Sequence, residues 1–375
     1  MIVQHFLKWI DTARVSERAA AANALARAYI VSEMSFEDRC AAEAALTLLL
    51  DDPSPKVRMG MAEALAMSPR APQQIVAALA TDQPEIAAPV LALSPLLTDH
   101  DLIDLVASGS DVAQTWIASR ARVSMGLSAA IAEVACAAAC VDLVTNSGAD
   151  IASLSFRRMA ERLGHEAQLR EALIADARLP GETRHMLLMK LSEALKEAPL
   201  VRALMGPARA ERVMREACIR ASLTLIESTR REEHAALVEH LRLRGDLTSA
   251  FLIRAVAYGR IDFFGAALVA LTGQQEGRVR TLLASGRDLA LAALFRSARL
   301  PQPTHQVILK ALKVWREVAN GKRVAGPQEV TFLMLRELDQ TGNAQDGGLA
   351  GLLKSIHLEV LRENARGHAL AIAAA

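Results

Sequence analysis

Four cysteines, nine histidines and a scatter of arginines are the side chains from which this 375-residue chain could build chemistry. Cys136 and Cys140 stand four apart in an alanine-rich stretch, which puts both thiols on one face of a helix, half of a soft-metal site. No second pair of Cys or His stands at matching spacing, so small buried residues are the better reading of both. His165-Glu166 and Glu239-His240 are acid–imidazole pairs of a kind that ligates iron when several stand in register; here they are scattered. There is no Gly-rich phosphate loop after a strand, no His-Glu-x-x-His and no nucleophile elbow. Catalytic residues, metal ligands and cofactor are each expected to be none, and the chain is expected not to be an enzyme.

The arginines offer a different chemistry, the recognition of anions. Arg157, Arg158 and Arg162 form a short basic stripe, with Arg254, Arg260, Arg278 and Arg280 as its counterpart further on. HEAT-like DNA glycosylases bind duplex DNA on such a surface, but they also carry tryptophans and an acidic residue in the cleft. Trp9, Trp116 and Trp315 are too dispersed for that. The formal net charge is only +1, so no global field draws in nucleic acid or an anionic membrane.

The elements that must position these residues read as helices. Hydrophobic residues are 52% of the chain and aromatics 3%, with a mean hydropathy of +0.19, so the apolar mass is mostly Ala, Leu, Val and Ile. That composition suits closely spaced helices better than strands. Cys40, Cys136, Cys140 and Cys218 all fall in predicted helices and read as reduced thiols. The longest apolar run, Leu127 to Val144, is broken by Glu133 and Asp142 and is too alanine-rich to span a bilayer. The first residues lack the uninterrupted apolar core of a signal peptide. The expected compartment is the cytoplasm, with no membrane contact.

Asp51 to Met67 organises the rest. A turn at Asp51-Asp52-Pro53 leads into a helix start at Ser54-Pro55, and Val57, Met61, Ala64 and Leu65 then share one face. Ser35 to Leu50 supplies the partner helix, with Ser35 and Asp38 as a capping box. Thr98 and Asp101 make another, and Pro89 is expected to bend its helix. Val57 matches Ile86 and Val112 at periods of 29 and 26 residues, and Met61 matches Val90 and Trp116, so all six are expected in the core. Residues 1–34 read as capping helices with Val3, Phe6, Leu7 and Ile10 on one face and Trp9 at its edge, residues 35–126 as a short repeat array, and 127–375 as a duplicated region. The duplication lays about 127–191 on 247–312. Ala177-Arg178-Leu179-Pro180 meets Ala298-Arg299-Leu300-Pro301, Val141-Asp142-Leu143 meets Ile261-Asp262-Phe263, and Thr183 meets Thr304. Asp339 to Gly348 reads as a flexible loop.

Two resemblances follow. The Asp-Pro-x-Pro-x-Val-Arg run at Asp52 to Arg58 resembles a HEAT-type repeat. The run Leu252-Ile253-Arg254-Ala255, Gly259-Arg260-Ile261-Asp262-Phe263-Phe264, Ala266-Ala267-Leu268 and the later Ala298 to Pro301 resemble the C-terminal signature of an uncharacterised bacterial domain-of-unknown-function family. In that signature an acidic residue commonly stands where this chain has Arg260, and a Glu where it has Gly265. The resemblance implies a HEAT-like helical array and attaches no activity.

The expectation is an all-α, HEAT-like α-solenoid of stacked helical hairpins whose second half is internally duplicated. Its expected role is a non-enzymatic scaffold or regulatory adaptor for a protein partner, with nucleic-acid binding as the second reading. Arg254 and Arg299, inside the signature, are the candidate partner-binding residues: on one exposed face they would present forked donors to an acidic surface. A structural role, such as Arg254 pairing with Asp262, is the competing assignment.

Overall fold

A computed structural model describes Trp9, residues 12–340 and residues 347–374. Val3, Phe6, Leu7 and Ile10, and most of the expected loop from Asp339 to Gly348, lie outside the described residues. Within them the chain is all-α: 22 helices and one 3-10 turn, with a single parallel bridge between Val123 and Ala149 and no strand. It forms two compact units, Met1–Leu179 and Pro180–Ala375. The texture change at 126/127 therefore falls inside the first unit.

The first unit runs α1 (Val15–Val31), α2 (Phe36–Leu49), α3 (Pro55–Leu65), α4 (Gln73–Ala80), α5 (Pro84–Leu93), α6 (Asp99–Ser108), α7 (Asp111–Ala118), α8 (Met125–Val134), α9 (Ala137–Thr145), α10 (Ser153–Leu163) and α11 (Ala167–Ala175). Local chemistry sets the starts. Ser35 accepts the Asp38 N–H, Thr98 and Asp101 complete a capping box, and Pro55 and Pro84 occupy first-turn positions whose N–H would be unbonded anyway. Pro89 lies inside α5, which continues to Leu93.

The helices α1, α3, α5, α7, α9 and α11 stack each on the next in one layer, and α6, α8 and α10 stack in a second. This is a helical-repeat solenoid in which most packing joins a helix to its next-but-one neighbour. Val57, Met61, Leu65, Ile86 and Val90 are buried between these helices, as the repeat spacing predicts. Val112 and Trp116 are not: they are 48% and 42% exposed. The eight-residue α7 buries a narrower stripe, Gln114, Ile117 and Ala118, and Val112 and Trp116 lie outside it. The neighbouring residues Ala62, Leu91 and Ile117 are buried.

Arginines fasten the stack. Arg18 grips Asp52 at 2.8 Å, and Arg58 grips Asp82 while donating to the Asp52 carbonyl. Arg120 donates to Leu91 and Ser94 at the end of α5, Arg162 to Ala132 and Ala135 at the end of α8, and Arg178 to Val144 and Ala149 after α9. Each satisfies carbonyls that a helix end leaves without an intrahelical partner. The Arg18 guanidinium also holds the Asp52 carboxyl below the usual carboxylate range.

The second unit runs α12 (Gly181–Glu197), α13 (Pro199–Met205), α14 (Pro207–Ser228), the 3-10 turn Arg231–Glu233, α15 (His234–Arg244), α16 (Ser249–Ala257), α17 (Ile261–Thr272), α18 (Glu276–Ser285), α19 (Asp288–Ser297), α20 (Gln302–Ala319), α21 (Pro327–Gln340) and α22 (Gly347–Ala374). Its core is aromatic. Phe251 meets Phe263, Phe264 meets Phe295, and Phe295 meets His305, all edge-on with ring centroids 5.6–6.0 Å apart.

The proposed copies share helix order: α8 to α12 correspond to α16 to α20. Pro180 and Pro301 each precede a long helix, Leu179 and Leu300 are buried, and so are Thr183 and Thr304. The packing differs. Helix α8 packs on α10, whereas α16 packs on α20 and α21.

Candidate functional site

The second unit contains a half-open cavity of about 710 Å³, bounded by the turn before α15, by α17, by α18 and by α20. That volume is typical of small-molecule sites. Its wall is mostly aliphatic, with Ala266, Val269, Val279, Leu283 and Leu312 contributing. Gly265 makes room on α17, since a Cβ there would come within 3.2 Å of Leu283.

Three larger side chains give the cavity its character. His234 opens α15 and stands edge-on to Phe263; it is 7% exposed, and neither ring nitrogen bonds another of the described residues. Trp315 donates its indole N–H to the Val256 carbonyl at 2.7 Å, and its ring lies over Gly259, whose φ of +76° is a left-handed conformation. Arg316 donates from Nε to the Leu312 carbonyl, and its guanidinium rests on Gly286, so close that a Cβ would sit 2.1 Å from Nη1. That Nη1 is buried and has no hydrogen-bond partner among the described residues. At the rim, Asp262 pairs with Arg231, Glu276 with Arg280, and Glu239 with Arg242.

The two candidate arginines do not share an exposed face. Arg254 is 12% exposed and bonds Glu359 of α22 at 2.5 Å, with Ser355 beside it; its partner is not Asp262, which Arg231 takes. Arg254 is held within the unit, because the long helix α22 brings a carboxylate across 105 residues of sequence to cover it. Arg299 is exposed, its backbone φ is +57°, and its side chain has no hydrogen bond or ion pair among the described residues. The basic stripe is largely used up: Arg157 pairs with Glu161, Arg158 with Glu133, and Arg162 bonds carbonyls. In the counterpart set, Arg260 pairs with Glu227 and Arg280 with Glu276.

The two thiols sit in different surroundings. Cys136 precedes α9 as its cap and accepts the Ala139 N–H, while Cys140 lies inside the helix, where burial pushes its thiol up to about 12. Among the described residues no three His, Cys, Asp or Glu side chains group as metal ligands. His240 enters a buried relay instead. His240 Nε2 meets His185 Nδ1 at 3.2 Å, His185 Nε2 meets Ser222 Oγ at 3.0 Å, and Ser222 donates to the Cys218 carbonyl. Because Ser222 is already a donor, the relay assigns the proton of His185 to Nε2 and makes Nδ1 the acceptor.

Sequence reasoning missed His234 and Arg316 and set Trp315 aside. The signature was the available signal, since Asp262 and Gly265 line the cavity and Phe263 supports His234. No helix among the described residues is long and apolar enough to cross a membrane. No curated protein and no solved structure matches the chain. Residues 86–342 match a family described as uncharacterised proteins conserved in bacteria (DUF2336). That span takes in the α5-to-α11 stack, the cavity and the whole signature, and this chain belongs to that family.

Proposed function

We propose that the chain is a non-enzymatic interaction scaffold or regulatory adaptor of the cytoplasm, and that its partner is a protein. The observation that carries this reading is the exposed pair Val112 and Trp116, one turn apart on α7 in the stacked layer of the first unit. An exposed tryptophan beside an aliphatic residue matches the composition of interface anchors, and stacked helices are a surface on which such anchors recur. The pairing of the basic stripe with carboxylates and carbonyls favours a protein partner over nucleic acid. The same reading takes the repeats as HEAT-like and 127–191 with 247–312 as copies of one segment, which the matched helix order supports.

The test is a pull-down from the native cell with the full chain and with Trp116→Ala. The variant should lose the retained protein while its unfolding free energy stays within about 0.5 kcal/mol of the parent, as for a surface site. Undiminished retention by the variant, or recovery of nucleic acid in place of protein, overturns the reading.

A further inference from the structure

A desolvated imidazole and a desolvated guanidinium corner are costly unless something bonds them, so their presence in the wall of one cavity calls for a partner. His234 and Arg316 are those groups. We propose that the cavity between α15, α17, α18 and α20 binds a small amphipathic carboxylate, a molecule with an apolar body and one anionic end.

The charge inventory selects the anion. Asp262, Glu276 and Glu239 are each matched by an arginine, and Glu232 is exposed at the rim. Arg316 is the lining cation that no carboxylate partners among the described residues. A guanidinium suits a carboxylate, to which it offers charged N–H donors. Arg316 is also already held in place, because Nε is tied to the Leu312 carbonyl and the Nη1 corner abuts Gly286. Little side-chain freedom then remains to be lost on binding.

The apolar body follows from the wall, where Ala266, Val269, Val279, Leu283 and Leu312 offer it a surface that excludes water. His234 adds a second polar position that can donate from one ring nitrogen and accept at the other. A single unpaired cation in an aliphatic cavity does not fit a polyanion, whose binding needs a tract of charges. The site uses none of the residues on α7, so it goes beyond the adaptor reading and stands or falls separately.

The experiment is calorimetric titration of the full chain with decanoate, below its micellar concentration, and with decanol as the uncharged equivalent. The parent should bind decanoate at one site at least about tenfold more tightly than decanol. Arg316→Leu should remove that preference while leaving decanol binding in place. Ala266→Trp, which fills the cavity from α17, should remove binding of both. Equal binding of the two probes by the parent, or decanoate binding that survives Ala266→Trp, overturns the proposal. Should Arg316→Leu fail to fold by circular dichroism, the parent's decanoate-to-decanol ratio and the Ala266→Trp result decide by themselves.

Discussion

The two units solve the same packing problem in different ways. In the first, each helix rests on its next-but-one neighbour, and the arginines are consumed as fasteners on successive helix ends. In the second, residues distant in sequence converge: Arg254 reaches Glu359, Trp315 reaches Val256, and four phenylalanines meet in one cluster. A neighbour-only stack leaves open grooves between its helices, such as the one lined by Asn23, Met59 and Ile86, in place of a more enclosed cavity, and its distinctive side chains end on the outside, as Trp116 does. A convergent core can enclose one. The cavity, the buried histidines and the unbonded guanidinium corner all lie in the second unit.

The largest expected effect probes that contrast directly. Phe264→Ala should cost about 3–5 kcal/mol and weaken hydrogen-exchange protection throughout the second unit, because its ring sits in the cluster shared by many helices. Leu65→Ala should cost about 2–5 kcal/mol, with protection lost mainly in α1, α3 and α5, its stacking neighbours. Equal spread of the two losses would break the comparison.

Next comes a pH effect confined to one unit. Burial, then the neighbouring His240, pushes His185 down to about 4, from about 6.5 in an unfolded chain. Between those values the unfolded chain binds the extra proton, so stability is full above about pH 6.5 and falls as the pH drops toward 4, by roughly 3 kcal/mol in all. Charging His185 would also put a proton on Nδ1 and break its bond from His240. Denaturant titrations at pH 7 and pH 5 should show the second unit weakening and His185→Gln flattening the slope. The first unit has no buried histidine among the described residues, so an equal slope there would sink the assignment.

The smallest effects separate the two candidate arginines. Arg254→Ala should destabilise by about 1–2 kcal/mol, because it leaves the largely enclosed Glu359 with Arg220, 3.4 Å away, as its remaining cation. Arg299→Gly should stabilise by up to about 1 kcal/mol, since glycine adopts the left-handed conformation without the Cβ clash. Opposite signs in thermal melts would establish that these signature residues serve different ends.

Much of the first unit was legible in the sequence because its determinants are local. Ser35, Thr98 and Pro55 mark helix starts within a few residues, and the stacking face of α3 and α5 follows from helical periodicity. Val112 and Trp116 were misread because periodicity fixes the centre of a buried stripe and not its width. The cavity was hidden for another reason. His234, Gly265, Arg316 and the carboxylate over Arg254 come from helices separated by tens of residues, and no spacing rule relates them.

The contact between Gly259 and Trp315 imposes an order on how this sequence can change. Gly259 is held twice, by its left-handed backbone and by the indole 3.1 Å from where a Cβ would be, whereas Trp315 is held by packing and one hydrogen bond. Replacing the tryptophan removes one of the two constraints on the glycine and leaves the other. Replacing the glycine first meets both at once. Among descendants of a common ancestor, a change at position 315 is therefore expected to come before a change at 259.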